Sequence, residues 1–232
     1  MNRRLTNIIR FIIDECIPSI IRDNKYFMYP FFLYAYRGKN IKDAMNFKTL
    51  VYNFTNQEYI DYYSKLNSIS RNRKTDINKP TLKYALQMIE ESSTTLIDIG
   101  CGNGYFLNKV NKIKSSFKLH GCDIIEKKSN FDFAYTKADI NKLPFKDKEF
   151  DVVTCFHTLE HIINPSKAIE ELKRIAKKQI IICVPCQRYF YYTLDEHVNF
   201  YFFKAKLINE MNIQKYICKK IAGDYIFIGH LE

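Results

Sequence analysis

Apolar residues in the first third of the chain recur at helical spacing. Ile8, Ile9, Ile12, Ile13 and Cys16 follow an i, i+1, i+4, i+5, i+8 pattern, which predicts an amphipathic helix that bends or stops near Pro18. Phe54 to Leu66 predicts a second helix, and Leu82, Ala85, Leu86 and Ile89 place a third over Thr81–Glu91. Between these two lies a polar, basic linker, Ser68–Lys79, and Pro30 is expected to interrupt the aromatic run Tyr26–Tyr36. From Thr94 the pattern changes. Short apolar runs at Thr95–Ile99, Lys118–Cys122, Phe150–Cys155, Gln179–Val184, Tyr216–Ala222 and Tyr225–Gly229 read as strands, with helices at Tyr105–Ile113 and Ser166–Lys177. Alternation of this kind predicts an α/β domain whose parallel sheet is covered on both faces.

Glycine is scarce. Four of the seven, Gly100, Gly102, Gly104 and Gly121, fall within 22 residues. The first three form a Gly-x-Gly-x-Gly turn between the Thr95–Ile99 strand and the next helix, where missing Cβ atoms admit positive φ and close approach of a ligand. The helix start adds unpaired N–H groups. Asp123, 19 residues after Gly104 at the end of the next strand, stands where an acid accepts from ribose hydroxyls. Asp98 lies two residues before the first glycine.

This arrangement resembles the first motif of class I S-adenosylmethionine-dependent methyltransferases. Gly121-Cys122-Asp123-Ile124 is similar to that family's ribose-binding strand end. Lys137-Ala138-Asp139-Ile140 with Leu143-Pro144-Phe145 is similar to its adenine loop, and Phe150-Asp151-Val152-Val153 with Glu160-His161 to its fourth strand and the following helix. The resemblance covers about residues 94–185. It implies a Rossmann-like, doubly wound, mostly parallel seven-stranded sheet with a helical N-terminal extension, and S-adenosylmethionine as cofactor. It implies a cofactor set of Asp98, Gly100, Cys101, Gly102 and Gly104 around the methionine part, Asp123 and Ile124 at the ribose, Asp139 and Ile140 at the adenine, and Phe156 at the fourth strand end. Ala176-Lys177-Lys178-Gln179 stands where the family often carries a proline and two glycines, a departure remote from the cofactor.

Methyl transfer is an in-line displacement that depends on positioning, and a hydroxyl nucleophile also needs a proton acceptor. The catalytic candidates are His197, His157 and His161. His157, Glu160 and His161 form His-x-x-Glu-His after the fourth strand, three side chains expected on one helical face. Zinc proteases use the same letters, but here the string follows a strand of a nucleotide-binding pattern and no distal third ligand is evident. The expectation is no metal, with a divalent ion on these three residues as the alternative; for His161 a structural hydrogen bond competes with a catalytic role. His197 sits in Asp195-Glu196-His197 beside Tyr189, Tyr191 and Tyr192, a base with acids to orient it and rings to stack on a sugar; helix-start or loop packing is its competing role. Cys183 and Cys186 make one Cys-x-x-Cys without a second pair, too little for zinc, and read as packing. Pro185-Cys186 resembles the nucleophile loop of cytosine-5 methyltransferases but follows the fifth strand instead of the fourth.

Composition then limits the function classes. The chain has 232 residues and a net charge of +11, and residues 1–90 hold 15 Lys+Arg against 8 Asp+Glu. The excess therefore sits largely outside the glycine-rich half, which also lacks the Asn/Asp-Pro-Pro-aromatic loop of nucleic-acid amino-methyltransferases. Nucleic acid is not the expected partner. Seven of the eleven residues Tyr26–Tyr36 are aromatic, and this charge-free run falls short of the roughly 20 residues of a bilayer span. Arg10, Asp14 and Glu15 break the early apolar stretch, so no secretory signal is expected, and seven scattered cysteines read as reduced thiols.

The expected organisation is a basic, aromatic extension over 1–80, serving as a lid or a docking surface, and a cofactor domain over 81–232. A cytoplasmic enzyme is expected, peripheral at the inner face of the membrane if Tyr26–Tyr36 docks there. A looser resemblance, in Arg-Phe-Ile-Ile-Asp-Glu and Arg-Tyr-Phe-Tyr-Tyr-Thr-Leu-Asp-Glu-His, is to methyltransferases of bacterial surface-polysaccharide type. It implies O-methylation of a sugar or lipid-linked glycan precursor. A nucleic-acid methyltransferase and a non-catalytic nucleotide-binding module are the alternatives.

Overall fold

The computed structural model describes residues 11–65, 74–126 and 131–231. The chain divides into two compact units, Met1–Arg73 with Gln187–Phe200 and Lys74–Cys186 with Tyr201–Glu232. Residues 187–200, expected with the cofactor domain, group instead with the first unit.

In the first unit a π-helical turn, Ile12–Cys16, ends before Pro18, after which α1 (Ser19–Arg22) begins. The predicted helix start at Ile8–Arg10 lies outside the described residues. α2 (Lys25–Ala35) runs through Pro30 without a break, contrary to expectation. Two features support it: Asn24 caps its start, accepting from Tyr26 N at 2.9 Å and Phe27 N at 3.2 Å, and Met28, Phe32 and Tyr36 bury one face at i, i+4, i+8. Proline's fixed φ is itself helical, so the loss is confined to one hydrogen bond and a local crowding. α3 (Ile41–Leu50) was not predicted, and α4 (Asn56–Lys65) matches the Phe54–Leu66 expectation. Ile13, Met28, Phe32, Tyr36, Ala44 and Phe190 form this unit's own core.

The second unit starts with α5 (Lys79–Gln87), capped by Asn78, whose side chain accepts from Thr81 N. Then follow β1 (Thr95–Ile99), α6 (Tyr105–Ile113), β2 (Lys118–Asp123), β3 (Ala134–Lys137) and β4 (Phe150–Phe156). The chain continues through α7 (Pro165–Ile175), β5 (Ala176–Pro185), α8 (Lys204–Met211), β6 (Lys215–Ile221) and β7 (Asp224–His230). The seven strands line up β3-β2-β1-β4-β5-β7-β6. Neighbours are parallel except at β7, antiparallel to both β5 and β6. This is the expected Rossmann-like, mostly parallel sheet.

Period-two alternation splits the core into two layers. Ile97, Val153, Ile180 and Ile182 face Leu172 and Leu207, while Leu96, Val152, Ile181 and Ile228 face Ala85 and Leu107. Strand order reverses between β1 and β4. The crevice beyond their carboxyl ends is where ligands bind in open α/β sheets, and the glycine turn lies there. Among the described residues joining β2 to β3 none is helical. The Phe133 ring covers that face instead, against Gly104 and Gly121, with Phe131 stacked on it at 4.6 Å.

Candidate functional site

The turn after β1 is held by its own backbone. Gly100 N and Cys101 N both donate to Cys122 O, at 2.8 and 3.1 Å, and Gly104 N donates to Cys101 O. Gly100, Gly102 and Gly104 have φ of 74°, 53° and 67°, the left-handed region that disfavours side chains. Space decides which glycine meets a ligand. A Cβ on Gly100 would lie 2.1 Å from Thr158 Oγ1, and one on Gly104 2.4 Å from Phe133 Cζ. A Cβ on Gly102 would meet nothing within 4 Å, so that side of its backbone borders open space.

Two carboxylates flank the turn. Asp123 Oδ2 accepts from Gly102 N at 2.9 Å and Oδ1 from Ile125 N at 3.1 Å, so it positions the loop. The Asp98 side chain is buried and accepts from Thr154 Oγ1 at 2.7 Å. Burial pushes Asp98 up to about 7, partly opposed by the Thr154 hydrogen bond and reinforced by the Asp123 charge. A buried carboxyl that ionises near neutrality, at the foot of a glycine loop, is fitted to a cationic ligand. Of the other expected cofactor residues, Cys101 is buried and Ile124 half-buried beside Asp123. Phe156 is half-buried with its ring edge-on to Phe106 at 4.6 Å. Asp139 turns on its own loop, Oδ1 accepting from Asn141 N at 2.9 Å, and Ile140 is buried in the core with Leu143.

His157, Glu160 and His161 do not share a helical face. His157 ends β4 in left-handed backbone, φ 49°, and only Leu159–His161 forms a short 3-10 turn. Both ring nitrogens of His157 are engaged: Nδ1 lies 3.2 Å from Glu160 Oε1, and Nε2 3.5 Å from Asp224 Oδ2. Burial lowers its pKa, but Cys183, Asp224 and Glu160 outweigh burial and raise it well above the ordinary value. His161 is half-buried at the end of the turn.

His197 belongs to the first unit. Its Nδ1 lies 2.6 Å from Gln187 Oε1 and 3.5 Å from Asp195 Oδ2. The carbonyl oxygen can only accept, so Nδ1 is the donor in this bond. Glu196 is committed elsewhere, accepting from the Tyr36 hydroxyl at 2.6 Å. Sequence reasoning missed Gln187, and also Lys48, whose buried ammonium donates to Thr193 Oγ1. Burial lowers Lys48 to about 8 against the opposing pull of Asp195, Glu196 and Asp23. The tyrosine strip is partly open, with Tyr189 exposed and edge-on to Phe200 at 5.1 Å.

This geometry meets an independent finding. Residues 97–184 match the methyltransferase-domain family. That domain implies S-adenosylmethionine as its cofactor and supports an S-adenosylmethionine-dependent methyltransferase. The chain is 35% identical over 94 residues to an uncharacterized protein of Methanocaldococcus jannaschii, covering 38% of this chain and 40% of that one. It is 30% identical over 113 residues to the ubiquinone biosynthesis O-methyltransferase of Dechloromonas aromatica, covering 44% of this chain and 48% of that one. The chain thus spans about half the length of these relatives, or less. In fold it is similar to a SAM-dependent methyltransferase from Aquifex aeolicus (TM-score 0.52, 18% identity, 77% of this chain and 100% of that one). It is likewise similar to a SAM-dependent methyltransferase from Thermotoga maritima described as a possible histamine N-methyltransferase (TM-score 0.52, 16% identity, 65% of this chain and 88% of that one). The matched methyltransferase segment begins in β1 and ends in β5, and so contains the glycine turn, Asp98 and Asp123.

The residues present suit this cofactor. The open backbone at Gly102 admits close approach, Asp98 suits a positively charged amino acid part, and Asp123 retains carboxylate lone pairs beyond its two backbone bonds. Bound S-adenosylmethionine supplies an electrophilic methyl group. The glycine turn and the flanking carboxylates would hold and orient it.

Proposed function

We propose that the chain is an S-adenosylmethionine-dependent methyltransferase that O-methylates a sugar or a lipid-linked glycan precursor. The observation that carries the transferase reading is the glycine turn with open backbone at Gly102, buttressed by Asp123 and floored by Asp98. Gly102 and Asp123 hold the cofactor at the turn, and Asp139 and Ile140 belong to the adenine end. His197 is the base for the acceptor hydroxyl, its ring oriented by the Gln187 hydrogen bond at Nδ1. The exposed Tyr189 and the half-buried Tyr191 and Tyr192 favour a ring-shaped acceptor, since sugars stack on aromatic faces.

Tritium from methyl-labelled cofactor, followed into fractionated cell extract, tests the acceptor class. The expected label is in a glycan or glycolipid, and label in RNA contradicts the reading. His197→Ala is expected to lower turnover at least about 100-fold, the usual contribution of a general base, with S-adenosylhomocysteine affinity unchanged. Turnover within threefold of the parent removes His197 from the mechanism.

A lipid-linked acceptor favours the docking reading of the aromatic helix. α2 leaves Tyr26, Tyr29, Leu33 and Tyr34 exposed, near exposed Ile20, with Lys25, Arg37, Lys39 and Lys42 close in sequence. Aromatic and basic residues together suit an anionic headgroup zone. No helix among the described residues is long and apolar enough to cross a membrane. Sedimentation with vesicles is expected to show binding to anionic and not neutral lipid, weakened by Tyr26→Ser with Tyr34→Ser; equal binding by that variant contradicts it.

A further inference from the structure

At the carboxyl edge of the sheet, three neighbouring strands bring three different ligand atoms together. β4 delivers His157, whose left-handed backbone is tied by its N–H to Cys183 O at 2.8 Å. β5 carries Cys183 near its end. β7 starts with Asp224, because antiparallel pairing sets Asp224 opposite Pro185. His157 Nε2 lies 3.7 Å from Cys183 Sγ and 3.5 Å from Asp224 Oδ2, and one ligand atom from each residue lies within 4.8 Å of the others.

The geometry points to a binding site for a divalent cation of the zinc class, held by His157 Nε2, Cys183 Sγ and the Asp224 carboxylate. Ligands bonded at about 2.0 to 2.3 Å around a tetrahedral centre stand roughly 3.3 to 3.8 Å from one another, the spacing seen around His157 Nε2. One nitrogen, one sulfur and one carboxylate oxygen suit zinc, whereas magnesium and calcium ask for oxygen throughout. The surroundings fit as well. Glu160 Oε1 lies on the far ring nitrogen, His157 Nδ1, at 3.2 Å, the carboxylate–histidine–metal arrangement that fixes a ligand's tautomer. Asn78 Nδ2 donates to Asp224 Oδ2 and orients that carboxylate from the start of α5.

A hydrogen-bond network without an ion accounts for less of this. Two nearly buried carboxylates, Glu160 and Asp224, face one imidazole, and Cys183 Sγ lies against the same ring nitrogen as Asp224. A divalent ion would balance the Asp224 carboxylate and the Cys183 thiolate, which meet at His157 Nε2. Its binding releases two protons to solvent, one from the Cys183 thiol and one from His157 Nε2, and three protein ligands leave a fourth position for water. This set differs from the His157, Glu160, His161 alternative read in the sequence: Glu160 moves behind the histidine, and Cys183 and Asp224 replace His161. The ion would tie the ends of β4, β5 and β7 beside the crevice.

The full-length protein, stripped by chelator dialysis, is titrated with Co2+ and then Zn2+. One saturable Co2+ per chain is expected, with a sulfur-to-cobalt charge-transfer band that one equivalent of Zn2+ removes. Cys183→Ser should lose the band and bind Zn2+ about 100-fold more weakly, and Glu160→Gln about 10-fold more weakly. Asp224→Asn keeps the thiol and should retain a weaker band, giving a second readout if Cys183→Ser folds poorly. Absence of the band in the parent protein overturns the assignment, and so does a band of undiminished strength in Cys183→Ser. Neither outcome bears on S-adenosylhomocysteine binding, measured separately.

Discussion

Asp123→Ala is expected to weaken S-adenosylhomocysteine binding about 100-fold or more, the larger of the two strongest effects. Two losses combine. The carboxylate holds the turn through Gly102 N and Ile125 N, and in the proposed reading its remaining lone pairs accept from the ribose. A hydrogen bond to a charged group contributes about 1.5–3 kcal/mol, so losing even one at the ribose accounts for roughly tenfold or more in affinity. Loosening the glycine turn accounts for the rest. Asp123→Asn should fall between, because its amide oxygen keeps one backbone bond while its NH2 faces another donor. Calorimetry on folded protein checks this, and a loss below threefold for Asp123→Ala would place the ribose elsewhere.

The second large effect is a pH dependence at Asp98. Burial is the main cause of its rise from 3.8 to about 7. A carboxyl with a raised folded-state pKa supports the fold fully below the unfolded value, near pH 4, and loses that support as pH climbs through 7. The difference amounts to about 4 kcal/mol. Asp98→Asn keeps an acceptor for Thr154 Oγ1 and never ionises. It should therefore melt higher than the parent at pH 8 and no higher at pH 4. A positively charged ligand beside Asp98 favours the ionised form, so binding below pH 7 should release close to one proton. Calorimetry at pH 6 in buffers of different ionisation heat should find that proton in the parent and none in Asp98→Asn. Equal proton release by both would remove Asp98 from the cofactor site.

Chemistry that demands fixed spacing was legible in the sequence. The β1 strand, the glycines at 100, 102 and 104 and the acid 19 residues later occupy one short stretch, and they stand together in the structure as expected. Elements without a chemical signature were harder to read. β3 is a four-residue edge strand, Ala134–Lys137, with no apolar alternation. α3 carries polar residues over half its length and follows a left-handed Asn40.

Long-range pairing was invisible to local pattern. Residues 187–200 join the first unit through Tyr36 to Glu196 and Lys48 to Thr193, partners separated by 160 and 145 positions. The His-x-x-Glu-His string looked helical because its spacing is helical. The positive φ at His157 breaks that geometry and turns the ring toward Cys183, read only as packing, and Asp224, which no motif marked.

The proposed reading makes the turn between β1 and α6 an S-adenosylmethionine site. The most direct measurement is calorimetric titration of the full chain with S-adenosylhomocysteine, followed by competition with a nicotinamide dinucleotide. Saturable binding of one equivalent, undisturbed by the dinucleotide, is the predicted result. No heat at millimolar S-adenosylhomocysteine, or its displacement by the dinucleotide, would contradict the account.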